Sequence, residues 1–165
     1  MPITIPKPIF LMTKVPSVAV VGLLAVEFLL FQIGQSPEPN CTLKVERPHH
    51  STSLKEVRDI DAIKLNITSS CNAPQIYTQV SASIQRIANN KVITAYKFEK
   101  ERRNASASDN RTTLFRDLFV PCVMGISALY RGEAQGYIYL ENGKKYPVKS
   151  DSGNFTAQGC LIGAQ

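Results

Sequence analysis

Over residues 41–165, apolar and polar side chains trade places with a period of two, which predicts half-buried strands. Ile63, Leu65 and Ile67 alternate with Lys64, Asn66 and Thr68. Ile76, Thr78, Val80, Ala82 and Ile84 alternate with Tyr77, Gln79, Ser81, Ser83 and Gln85. Val92, Thr94, Tyr96 and Phe98 make a third row, and Cys41, Leu43 and Val45 a short first one. Further strands are expected over 114–122, 126–131, 135–141, 144–149 and 155–161. No segment after Gln35 keeps a helical period for three turns. Residues 53–61 come nearest.

Two hairpins can be set in register. Asn142-Gly143 is a strong two-residue turn signal, because both residues tolerate positive φ. It pairs Glu141 with Lys144 and Tyr139 with Tyr146, and puts Tyr137 near Val148. Pro147 lacks a donor and marks its strand as an edge. The second hairpin turns near Asn89-Asn90. A two-residue loop there would mix inward and outward rows, since one residue of slip inverts every side chain. A three-residue loop, or a bulge close by, restores the rows. Eight or nine short strands without a long helix predict an all-β fold. The expected form is a two-sheet sandwich, immunoglobulin-like or a similar Greek key. The chain has no Trp, so membership in the immunoglobulin family is not implied.

The period of two is absent from the N-terminal part. Val15 to Ile33 is a 19-residue run with twelve Val, Leu, Ile or Phe residues and one charge, Glu27. A bilayer core needs about 20 helical residues. The twelve contribute roughly −4 to −7 kcal/mol on an insertion scale, against about 3 kcal/mol for the carboxylate. Insertion therefore wins by a small margin. Lys7 and Lys14 precede the run and place the N-terminus inside. The organisation expected is a cytoplasmic tail (1–14), a transmembrane or signal-anchor helix (15–33), a linker (34–40) and an exported domain (41–165). The alternative is a cleaved signal peptide, for which Gly34-Gln35-Ser36 is the best cleavage site. Pro37 stands just beyond it and disfavours the cut.

Cysteine usage agrees with export. Cys41, Cys71, Cys122 and Cys160 all follow the apolar run, and an even count there predicts two disulfides. Cys41 shares parity with Leu43 and Val45, and Cys71 with Ile63, Leu65 and Ile67. Cys41–Cys71 is thus the favoured pairing, leaving Cys122–Cys160, with the other connectivities open. No two cysteines are closer than 30 positions, so no metal site is expected, and no cofactor either. His49 and His50 are adjacent and read as exposed loop residues.

Charge changes the picture little. Past residue 36 there are 17 of the 19 basic and 12 of the 13 acidic residues, a balance of +5. The densest cluster, from Lys97 to Arg103, mixes both signs and reads as a solvated strand end or loop. Nucleic acid is not an expected partner. The membrane is, through residues 15–33, together with a protein or polysaccharide ligand.

Five of the nine asparagines head an N-x-Ser/Thr triplet: Asn40, Asn66, Asn104, Asn110 and Asn154. In a eukaryotic or viral host these are glycan acceptors, and Asn104, Asn110 and Asn154 are the best placed. No phosphate loop, nucleophile elbow or zinc-protease motif is present. Asp117, Glu133 and Glu141 are the acids on or near strands, and they read as solvent-face charge. The expected role is therefore non-catalytic: a single-pass, membrane-anchored extracytoplasmic domain that binds a partner or builds the surface. A secreted soluble domain is the alternative, with an exported hydrolase behind it. Tyr130, Tyr137, Tyr139 and Tyr146 are the candidate binding residues.

The anchor has a direct check. N-terminal sequencing of the full-length chain from the membrane fraction is expected to read Met1. A mature start near Pro37 would select the secreted form instead.

Overall fold

A computed structural model describes residues 38–163. The expected helix at 15–33, the tail before it and the first part of the 34–40 linker lie outside the described residues. Among the described residues, no helix is long and apolar enough to cross a membrane.

The elements run β1 (Cys41–Val45), β2 (His49–His50), α1 (Thr52–Arg58), β3 (Ala62–Cys71), β4 (Gln75–Ala88), β5 (Lys91–Lys97), β6 (Glu101–Asn104), β7 (Thr112–Leu140), β8 (Lys145–Asp151) and β9 (Thr156–Ile162). The nine strands form one curled, all-antiparallel sheet with the path β1-β3-β7-β4-β5. β2 adds to β3, β6 to β4, and β8 and β9 to β7.

The three strands expected over 114–122, 126–131 and 135–141 are a single strand, β7, 29 residues long. Its first limb pairs with β3, its middle with β9, and its last limb with β4 and β8. Gln75 pairs with Leu140, and its N–H donates to the Asn110 carbonyl at 2.6 Å. Both ends of β7 therefore meet at one end of the domain, beside Cys71.

β7 keeps its apolar row inward through a bulge. Phe115 pairs with Ile67 and Leu118 with Leu65, so β7 spends three residues where β3 spends two. Arg116 and Asp117, the surplus pair, both point to solvent. The inward row then moves from odd to even positions: Thr113 and Phe115, then Leu118 and Val120, later Tyr130, Gly132, Ala134, Ile138 and Leu140. A second irregularity between Met124 and Ala128 surrounds Gly125, whose φ of +88° suits glycine.

Both hairpins correct the expected register. Asn89 and Asn90 form a two-residue loop with φ of 50° and 60°. The rows are rescued by an extra residue, Ala95, between the Gln85–Thr94 and Ile84–Tyr96 pairs. The anticipated bulge is present and the longer loop is not. At the other hairpin, Tyr139 pairs with Lys145, Ile138 with Tyr146 and Tyr137 with Pro147, one residue away from the expected register. Only Gly143 takes positive φ there, at 79°, and the loop spans Glu141 to Gly143. The added residue lets Ile138 and Leu140 face inward with Tyr146 and Val148.

Two segments outside the expected strands are regular structure. Residues 101–104 form β6, which covers the edge of β4 that β5 leaves open. Its charged sequence suits an edge strand. Residues 52–58 form α1, started by Ser51, whose Oγ accepts from the Leu54 N–H at 3.4 Å, and ended by Asp59 in the left-handed region. Seven residues are too few for a helical period to register in the sequence.

The disulfides are Cys41–Cys71 and Cys122–Cys160, the favoured pairing. They close loops of 30 and 38 residues. Loop closure of that length is worth about 3–4 kcal/mol each on a chain-entropy basis. One apolar cluster links β1 and β3 to β4 and both limbs of β7, with Ile63, Leu65, Ile67, Ile84, Phe115 and Ile138 wholly buried. Beside it lies a buried polar knot. Gln75 Oε1 accepts from Ser69, Thr78 and Thr113 hydroxyls at 2.9–3.2 Å, and its amide nitrogen donates to the Arg111 carbonyl. The knot displaces Ile76, expected inside, to the surface.

Two glycines of β7 sit where a side chain does not fit. A Cβ on Gly136 would lie 2.0 Å from the Gln79 carbonyl oxygen and 2.8 Å from the Val80 Cα. A Cβ on Gly132 would meet the Leu65 Cδ1 at 2.4 Å, the end of a side chain that can rotate. In chemical denaturation, Gly136→Ala is expected to lose about 1–3 kcal/mol, and Gly132→Ala less. The reverse order would show that the β4–β7 spacing is slack.

Candidate functional site

The registers of β6, β4, β7 and β8 fix which side chains share the outward face, because directly opposite residues in antiparallel strands point the same way. The first outward row is Asn104–Tyr77–Tyr139–Lys145 and the second Arg102–Gln79–Tyr137–Pro147. The third is Ser81–Gln135–Lys149, which Lys100 extends from the residue before β6. The next, Lys97–Ser83–Glu133–Asp151, includes β5 and mixes signs. After a polar row, Thr94–Gln85–Arg131, the face turns apolar, with exposed Ile87, Val92 and Leu129.

The first three rows hold four cations and no acid. They also hold an aromatic set. Tyr77 and Tyr139 stack with centroids 4.2 Å apart. The Arg102 guanidinium lies over Tyr77 at 3.8 Å, and the Lys145 ammonium over Tyr137 at 3.8 Å and Tyr139 at 5.6 Å. Each such contact contributes about 0.5–1 kcal/mol at an exposed site. The ring faces are therefore engaged, and the row presents hydroxyls, ring edges and cation heads. A shallow groove of about 460 Å³ runs beside it, lined by Gln79, Ser81, Lys100, Gln135, Tyr137 and Lys149 among others. Lys149 also meets Glu133 at 3.3 Å, at the margin of the groove.

The four candidate tyrosines separate. Tyr137 and Tyr139 are on this face. Tyr130 is wholly buried: its hydroxyl donates to the Cys160 carbonyl at 3.0 Å and accepts from the Ile162 N–H at 2.7 Å, fastening β9 to β7. Tyr146 packs half-buried against the core opposite Ile138. Tyr77, Arg102 and Lys145 complete the face and were not singled out from sequence. Tyr77 stands in the same polar alternation as Gln79 and Ser81, and that row was the available signal.

Other residues of chemical interest are dispersed. Asp117 pairs with Arg103, and Glu133 with Lys149 and the Gln85 amide. Glu141 is in the β7–β8 turn. Asn104, Asn110 and Asn154 are exposed, whereas Asn66 is half-buried and donates to Glu46 at 2.9 Å. Among the described residues no three His, Cys, Asp or Glu side chains cluster as a metal site. His49 and His50 are not in a loop. They form β2, and His50 Nε2 lies 3.1 Å from Asp61 Oδ1.

No protein-family model matches the chain, and no curated protein does. Among solved structures, the chain is similar to the solution structure of a protein provisionally assigned as late embryogenesis abundant. That likeness has 12% identity, a TM-score of 0.37, and coverage of 85% of this chain and 83% of the other.

Asp61 carries a definite pH expectation. The Lys55 ammonium, donating at 3.0 Å, holds its carboxyl below the ordinary carboxylate range, with a smaller pull from His50 against partial desolvation. A depressed carboxyl stabilises the fold above the ordinary value, and that contribution disappears as pH falls through the folded value. An NMR titration is expected to put the Asp61 midpoint below about 3.9, and Lys55→Met to raise it. A midpoint unaffected by Lys55→Met would assign the shift elsewhere.

Proposed function

We propose that this chain is a single-pass, membrane-anchored extracytoplasmic domain that binds surface material without catalysis. In this reading residues 15–33 hold the membrane, and the curled sheet closes as a two-layer sandwich of immunoglobulin-like or similar Greek-key kind. Support for the closure comes from Gly132, which abuts Leu65 and Val45 from across the core, and from the Arg103–Asp117 pair. Two disulfides suit an oxidising compartment. The exposed triplets at Asn104, Asn110 and Asn154 suit glycan attachment in a host that glycosylates. A secreted form keeps the same binding face.

The observation that carries the binding role is the outward face of β6, β4, β7 and β8. Its cations stand together without interspersed acids, and its tyrosines are stacked outside the core. Both lie on the opposite side of the same strands from the apolar core row. Exposed polar and aromatic clusters of this kind are typical of recognition surfaces.

The test is cosedimentation of the full-length chain with insoluble surface material from its own source. Tyr137→Ala with Lys145→Ala removes an aromatic and a cationic anchor from the face, whose truncation costs about 1 kcal/mol or more in binding, so the affinity is expected to fall about tenfold. Val123→Ser with Met124→Ser, at the bend of β7, is expected to change nothing. Equal retention of all three proteins would overturn the assignment.

A further inference from the structure

We infer that the groove beside Tyr137 takes an acidic polysaccharide, with carboxylate or sulfate groups on the lysines and sugar hydroxyls on the groove floor. This rests on the binding role proposed above and names its ligand class. The argument begins with the third outward row. Ser81 and Gln135 lie at its centre, with Lys149 at one end and Lys100 at the other. Strands are about 4.8 Å apart, so the two lysines stand roughly 14 Å apart across four strand positions. One monosaccharide does not bridge that distance, and a short stretch of polymer does.

The floor supplies the second part. Gln79 and Gln135 bring primary amides and Ser81 a hydroxyl, each able to donate and accept. Among the described residues, none of these three side chains is held by another side chain. Paired donor–acceptor groups beside the apolar surfaces of Tyr137, Pro147 and Val148 match a sugar, which carries hydroxyls on a carbon ring. The second row adds Arg102 and Tyr137, and the first adds Lys145, so a polymer running across the rows meets further cations. Glu133 lies 3.3 Å from Lys149 at the margin of the groove. It holds that ammonium in the absence of ligand and competes with a ligand anion for it.

An acidic peptide fits less well. Extended peptides are recognised by adding to a sheet edge or by filling apolar pockets. This groove is centred on the face of β4 and β7, each paired on both sides, and Gln79, Ser81 and Gln135 form its floor. Charge complementarity is shared by the two ligands, and hydroxyl recognition is not.

The experiment is a titration of the full-length chain in detergent micelles, read by intrinsic tyrosine fluorescence, which no Trp obscures. The probes are polygalacturonate, the same polymer fully methyl-esterified, and polyglutamate at equal charge. Polygalacturonate is expected to bind at least tenfold more tightly than either of the others. Lys100→Gln with Lys149→Gln is expected to weaken it at least tenfold with an unchanged denaturation midpoint. Glu133→Gln, which frees Lys149, is expected to tighten it about threefold. Equal binding of the ester would remove the anionic requirement, and equal binding of polyglutamate would reduce the site to plain charge attraction. Either result overturns the inference, as does the absence of polygalacturonate binding or an inert lysine double variant. If the inference is overturned while the Tyr137/Lys145 variant still loses cosedimentation, the ligand class is wrong and the binding role stands.

Discussion

The hydrogen-bond ladder along β7 is the constraint on which the rest depends. One strand pairs with β3, β9, β4 and β8 in turn, so its backbone must stay extended while its direction reverses. Its side chains must also supply the inward row of both limbs. The bulge at Arg116–Asp117 meets the second demand by shifting the row to even positions, where it remains from Leu118 to Leu140. Gly136 meets a third, since the second limb passes too close to the β4 backbone there for a Cβ, and Gly132 eases the approach to Leu65 and Val45. A slip of one residue in β7 would unpair four neighbours at once and turn Phe115, Tyr130 and Ile138 to water.

The same strands that close the core create the outward face. In a half-buried strand, every inward Val, Ile or Ala fixes an outward neighbour. Val80 and Ala82 inward place Gln79 and Ser81 outward, and Ile138 places Tyr137 and Tyr139. The composition of the outward face is therefore fixed by the core beneath it. Its three cationic rows lie toward the end where Cys71, Gln75 and Leu140 meet, and the apolar zone of Ile87, Val92 and Leu129 lies at the other.

Much of this was legible in the alternation of side chains. The rows of β3 and β4 and the parity of Cys41 and Cys71 follow directly from a period of two. What was not legible depends on single inserted residues. Ala95 and the Glu141–Gly143 loop each move a register by one, and no local propensity distinguishes them from the neighbouring solution. The fusion of three expected strands into β7 was hidden at Gly125 and Gly132, which fall in the gaps between them. Here Gly132 marks close approach instead. Tyr130 and Tyr146 looked equal to Tyr137 and Tyr139 because an aromatic side chain suits both core and surface, and only the registers of β8 and β9 on β7 separate them. Tyr77, Arg102 and Lys145 gained meaning from cross-strand contact, which one-dimensional spacing does not record.

The Cys41–Cys71 bridge has a mechanical consequence. A pull entering at Asn40 reaches Cys71 through one covalent link and skips the 30 positions between the two cysteines. β1, β2, α1 and most of β3 thus stand outside the line of tension. The load passes from Cys71 through a short connection into β4, whose Tyr77 and Gln79 belong to the outward face. A load applied between Asn40 and Tyr137 therefore crosses the β4–β7 hydrogen-bond ladder, which joins the two points.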